Sequence, residues 1–258
     1  MLEELLSFVP AYVLAFFRVA ALMLFAPLLG SGMIPRRVKV LLAMAITVGI
    51  VPGIAAIELP QSEWQLALVI GAEMAFGLAM GMVVSFVFVA AQWAGELMGQ
   101  QMGLNLSEVF DPQFGAQGSL VGSMYYMLCL VIFISPAVRG DHALLRGLRA
   151  SFDTLPLMSI TMSSDLLGMI VRLVQAASIL ALQLAAPMLV TMMIVDVAMG
   201  FVGKTMPQLN IMSAGLSIRA LVGMLILIVG LLLTSHVISR AMVDFGQTAE
   251  SAWLGEWR

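Results

Sequence analysis

Residues 66–92 read LALVIGAEMAFGLAMGMVVSFVFVAAQ, and this stretch decides the fold. Its one ionisable residue is Glu73. About 18 predominantly apolar residues are enough to cross hydrocarbon as a helix. The stretch is longer than that, so it predicts a helix that tilts or runs beyond a bilayer. Gly77 and Gly81 form a small-xxx-small pair, a spacing that lets helix backbones approach closely. Glu73 falls on the same face, because i, i+4 and i+8 stack along a helix. Ala91, Gly95, Gly99 and Gly103 extend a second ridge of small residues. On another face Gln92, Glu96 and Gln100 form a polar stripe, either solvated where the helix leaves the membrane, lining a water path, or bound to a polar neighbour.

Working outward, five more apolar segments cover about 11–30, 40–57, 119–138, 166–195 and 211–239. Each is read as reaching bilayer length. The chain has 258 residues, 61% hydrophobic and only 10% charged. A soluble domain needs about 25% charged residues to cover its surface. The expected fold is therefore all-α, an integral membrane-type helical protein of long kinked helices and helical hairpins. Glu3 and Glu4 stand where a cleavable signal would carry positive charge, so the first apolar run is expected to be retained.

Four of these segments carry an ionisable residue: Arg18, Glu73, Arg172 and Arg219. A charge at the centre of a spanning helix costs roughly 2.5–3.5 kcal/mol on insertion scales. Such residues face a protein interior or a water-filled cavity, and Glu73 opposite Arg18 is one internal pairing the sequence allows. Asp196 and Lys204, eight residues apart, suit a polar cluster at a hairpin end. Arg172 and Arg219, on adjacent helices, fall at different depths and need not pair. Arg36, Arg37 and Lys39 mark the first loop as cytoplasmic, and Glu58 and Glu63 the second as outside. Strict alternation then puts Arg139, Arg146 and Arg149 outside and Glu96, Glu108 and Asp111 inside, against the rule. Either one segment does not span, or the helices are not laid out as ordinary lipid-facing spans.

The composition also limits chemistry. A net charge of −3 gives no clustered basic surface for nucleic acid. Cys129 is the single cysteine, read as a packing residue. The two histidines, His142 and His236, form no HExxH and no zinc cluster, so neither metal nor cofactor is expected. AMGFVGKT at 198–205 satisfies a relaxed phosphate-loop pattern, but it closes an apolar helix instead of following a buried strand. No catalytic activity is expected. The 22 methionines serve as membrane-core filler or as a deformable seal between subunits. Residues 139–165 read as a solvated, mixed-charge helix ending before Pro156, with Asp141 near Arg146 and Arg149 near Asp153.

Between the third and fourth segments runs NLSEVFDPQFGAQGSLVG, residues 105–122. Asp111-Pro112 favours a turn, and Gly115, Gly118 and Gly122 permit tight backbone. Phe110 and Phe114 flank the turn. The loop is either a plain connector or a re-entrant element, which is tolerated at membrane depth only when surrounded by protein or lining a cavity.

Four stretches together resemble the FliR family, the flagellar biosynthetic proteins of the type III secretion export gate. They are RVAALMLFAPLLGSGMIPRRVKVLLA (18–43), AGELMGQQMGLNLSEVFDP (94–112), GDHALLRGLRASFDTLPL (140–157) and AAPMLVTMMIVDVAMGFVGKTMPQLNIMSAGLSIRALVG (185–223). The resemblance covers nearly the whole chain and includes the homologous injectisome SctT-type subunit. It implies one subunit of a helical hetero-oligomeric gate in the bacterial inner membrane, at the flagellar basal body. Its implied partners are FliP-type and FliQ-type subunits, FlhB-type and FlhA-type export proteins, unfolded export substrates and membrane lipid. It further implies a FliP-like portion at 1–165 and a FliQ-like hairpin at 166–258, turning through Pro207, Gln208 and Asn210. The loop at 105–122 then resembles the plug of the closed channel, carried by Phe110, Asp111, Pro112, Phe114, Gly115 and Gly118. In that setting Arg18, Glu73, Glu96, Arg172, Asp196, Lys204 and Arg219 are expected to serve assembly. The competing reading is an independent polytopic ion or small-solute transporter using Glu73, Asp196 and Arg219 as a charge relay. An intramembrane hydrolase is a third.

Overall fold

The computed structural model describes residues 2–27, 29–30, 34–50, 57, 60, 62–104, 119–159, 165–206 and 211–253. Among these residues the chain forms seven helices and no strand: α1 (Leu2–Phe25), α2 (Arg36–Ile50), α3 (Glu63–Gln101), α4 (Leu120–Ile134), α5 (Gly140–Thr154), α6 (Asp165–Thr205) and α7 (Ile211–Trp253). The fold is all-α, as the composition predicts. Four helices, α1, α3, α6 and α7, are long and apolar enough to cross a membrane.

Among the described residues, the helices of the other two apolar segments are shorter. α2 and α4 have 15 residues each. At 1.5 Å per residue that is about 22 Å, less than the ~30 Å of bilayer hydrocarbon. Local chemistry sets the ends of α4. Ser119 caps its start by accepting from the Gly122 N–H at 3.3 Å, and Ser135 closes it just before Pro136. In contrast, α3, α6 and α7 have 39, 41 and 43 residues, or roughly 58, 61 and 64 Å. Pro10 lies inside α1 and Pro187 inside α6, each removing one helix N–H.

Helix α3 ends through a Schellman motif. The Leu104 N–H reaches the Gly99 carbonyl and the Gly103 N–H reaches the Gln100 carbonyl, each at 3.0 Å. Gly103 adopts φ 75°, the left-handed conformation that glycine takes without strain. It therefore terminates the helix, and the packed small ridge consists of Ala91, Gly95 and Gly99, all buried.

The chain packs as two compact units. The first holds residues 1–86, 139–174 and 242–258, and the second 87–138 and 175–241. The core of the first joins Ala11, Leu14, Ala15, Val19, Leu22 and Met23 of α1 to Ala43 of α2, Phe76 and Met80 of α3, and Leu148 and Phe152 of α5. In the second, Gly95 sits so close to the start of α4 that a Cβ there would lie 2.6 Å from the Val121 carbonyl oxygen. Phe88 packs its ring against Tyr126 and Phe133, with centroids 5.5 Å apart in both pairs. The Met102 side chain lies directly on Gly223, and Cys129 is fully buried, as a packing residue should be.

Candidate functional site

The most concentrated chemistry lies in the first unit, where α1 crosses α3. Gly77 and Gly81 make the crossing possible. A Cβ on Gly77 would collide with the Arg18 carbonyl oxygen, and one on Gly81 would stand 2.6 Å from that of Leu22. The two glycines and the two carbonyls are each four residues apart, so the backbones touch over a full turn. One turn before Gly77, Glu73 projects from the same face of α3 and meets the Arg18 side chain.

Arg18 Nε donates to Glu73 Oε2 at 2.6 Å, and both side chains are 0% exposed. The rest of the guanidinium is also engaged. Nη1 donates to the carbonyls of Ser151 and Leu155, and Nη2 to that of Leu155, all at 3.1 Å. The second carboxylate oxygen of Glu73 accepts from the Met158 N–H at 3.1 Å. Met158 takes φ 69°, a left-handed conformation that is costly for a residue with a Cβ. That conformation is held where it aims the N–H at Glu73. The guanidinium lies over the rings of Phe152 and Phe76, with centroids 4.5 and 5.1 Å from Cζ. The cluster thus ties α1, α3 and the chain leaving α5 into one polar knot inside an apolar unit.

α5 ends before Pro156, as expected, but it is not simply a solvated helix. Leu148, Ser151 and Phe152 are buried, and Ser151 and Phe152 meet the Arg18 side chain. Its outer side is polar: Asp141 pairs with His142 Nδ1 at 3.0 Å instead of with Arg146, and that contact holds the Asp141 carboxyl below its usual range.

In the second unit Arg219 Nη2 meets Asp196 Oδ1 at 2.6 Å, with side chains 40% and 42% exposed. Asp196 therefore pairs across α6 and α7 rather than with Lys204, which is exposed. Arg172 is exposed and engaged in polar contact. Gln92 Nε2 donates to Glu96 Oε1 at 3.0 Å, so part of the polar stripe on α3 satisfies itself. Residues 198–205 are helical, which removes the loop a phosphate cradle requires. The plug residues Phe110, Asp111, Pro112, Phe114, Gly115 and Gly118 lie outside the described residues, as do the turn residues Pro207, Gln208 and Asn210.

Sequence reasoning missed the neighbours that complete the Arg18 site: Phe76, Ser151, Phe152, Leu155 and Met158. Phe76 had a signal, three residues after Glu73 on the same helix face. The others are set by tertiary packing alone. The Asp196–Arg219 pair also had one, since the two stand nine residues before the end of α6 and eight after the start of α7.

The family described as "Bacterial export proteins, family 1" matches residues 9–245. This chain belongs to that family. Among the relatives of this export protein is the "Flagellar biosynthetic protein FliR" of Bacillus subtilis (strain 168), 30% identical over 237 residues, 88% of each chain. The protein of that name from Escherichia coli (strain K12) is 30% identical over 224 residues, 86% of this chain and 84% of the relative. The "Surface presentation of antigens protein SpaR" of Shigella flexneri is 23% identical over 215 residues, covering 83% and 82%. The matched region contains the whole Arg18–Glu73 cluster and the Asp196–Arg219 pair. The FliR family resemblance read from the sequence is thereby shown, and with it a flagellar-type export protein of the membrane.

Proposed function

We propose that this export protein is a non-enzymatic structural subunit of the flagellar type III export gate. In this reading it builds, with FliP-type and FliQ-type subunits, the channel through which unfolded flagellar proteins cross the bacterial inner membrane at the basal body. FlhA-type and FlhB-type proteins are its further partners. Residues 1–165 act as the FliP-like portion, 166–258 as the FliQ-like hairpin, and 105–122 as the plug that closes the pore. Arg18, Glu73, Glu96, Arg172, Asp196, Lys204 and Arg219 act as assembly contacts, within the chain or toward partners.

Family membership supports export. The observation that carries the gate reading is the pair α6 and α7, each about twice the length of bilayer hydrocarbon. Their apolar side chains are largely uncovered, including Met193, Ile194, Val197 and Phe201 on α6 and Leu221, Leu225, Ile228 and Val229 on α7. Apolar surface on this scale marks an interaction face, and helices this long need more than lipid to cover them. The transporter reading draws less support, because both carboxylate oxygens of Glu73 are already engaged inside the protein.

Co-expression with FliP-type and FliQ-type subunits from the same bacterium tests the proposal. The expected product is one detergent-stable complex containing all three in unequal numbers. A stable homo-oligomer of this chain lacking both partners contradicts it.

A further inference from the structure

Helix α2 has two opposed faces. Its inner face packs into the first unit through Ala43, Ile46, Thr47 and Ile50. Thr47 satisfies its hydroxyl on the Ala43 carbonyl at 2.7 Å, so this face presents no free polarity. The other face carries Arg37, Leu41, Met44 and Val48 at i, i+4, i+7 and i+11, one continuous stripe on a helix. Leu41, Met44 and Val48 are 65%, 52% and 57% exposed, and Val38 and Leu42 beside them are also exposed.

Charge on α2 is confined to one end. Arg36, Arg37 and Lys39 stand in its first turn, and the helix contains no carboxylate. Cations at that end meet the positive pole of the helix macrodipole, so they do not serve the helix itself. From Arg37 to Val48 the stripe rises about 16 Å, close to half of the ~30 Å hydrocarbon thickness. A cationic end followed by a leaflet-length apolar stripe has the polarity profile of one phospholipid, head to tail. A protein partner would cover the apolar residues without accounting for that length or for the charge at one end.

We propose that the outer face of α2 is a binding site for anionic phospholipid. Arg36 and Arg37, with Lys39 adding to the local charge, meet the headgroup phosphate, and Leu41, Met44 and Val48 lie along the acyl chains of a single leaflet. This goes beyond membership in an export gate and holds whether or not the gate reading does.

The test uses the full chain reconstituted in phosphatidylcholine vesicles with trace spin-labelled phosphatidylglycerol or phosphatidylcholine. The wild type should restrict phosphatidylglycerol preferentially, with the preference falling as salt is raised. Arg36→Gln and Arg37→Gln should each lower that preference about five-fold. The paired lysine substitutions should keep it. Both arginines are exposed, so an unchanged thermal unfolding profile is expected and shows that the variants fold. Equal association of the two lipids with the wild type overturns the proposal. So does an undiminished preference in the double glutamine variant. If that variant keeps its lipid preference but loses a co-purifying subunit, the face belongs to a protein and the proposal fails.

Discussion

A guanidinium with no solvent contact is tolerable in an apolar unit only if each of its nitrogens donates and its charge is matched. Arg18 meets both conditions through Glu73 and the Ser151 and Leu155 carbonyls. Removing one partner of such a buried pair leaves the other charge uncompensated, which costs about 3–5 kcal/mol. Arg18→Ala or Glu73→Ala should therefore lower the unfolding free energy of the detergent-solubilised chain by that amount. Arg18→Met combined with Glu73→Leu should recover part of the loss. A double variant no better than the worse single one would contradict the pairing. Much of this site was legible in the sequence. A lone ionisable Glu73 in a largely apolar 27-residue stretch, on the face of Gly77 and Gly81, implies a cationic partner, and Arg18 is the candidate in the first apolar segment. What was not legible is the α5 side. The carbonyls of Ser151 and Leu155 are backbone groups that no side-chain pattern marks, and the left-handed Met158 carries no sequence signal at all.

At the scale of elements, the α1–α3 crossing rests on two glycines whose missing side chains let carbonyls pack on the opposite backbone. Gly77→Ala should force the helices apart at a cost of about 1–3 kcal/mol, as overpacked cores generally do. Gly71 lies on the same helix with open space around it. Gly71→Ala should instead stabilise by about 0.5–1 kcal/mol, because alanine loses less backbone freedom in a helix. Thermal unfolding of the two variants in parallel checks this, and equal effects would contradict the close crossing. The long helices were legible from hydropathy alone. The short α4 was not: apolar character at 119–138 continues past the residues that are helical, and Ser119, Ser135 and Pro136 set its limits. The Gly103 ridge position misled for a similar reason, since glycine serves both close packing and helix termination.

At the scale of the whole molecule, the failure of the positive-inside rule has a physical counterpart in the helix lengths. Helices of roughly 60 Å cannot be confined to ~30 Å of hydrocarbon, so loop charges need not alternate across a bilayer. The plug reading belongs to this scale. Deleting residues 107–116 should leave assembly with partner subunits intact and make the resting channel conduct ions. Unchanged conductance of the assembled deletion variant would reject the plug. If this chain is an indispensable part of a protein-export gate, flagellar protein cannot leave the cell without it. The most direct test is the amount of flagellar protein secreted by the chain's own host after its gene is removed. Secretion should be lost and should return when the intact chain is supplied. Undiminished secretion without the chain would contradict that role.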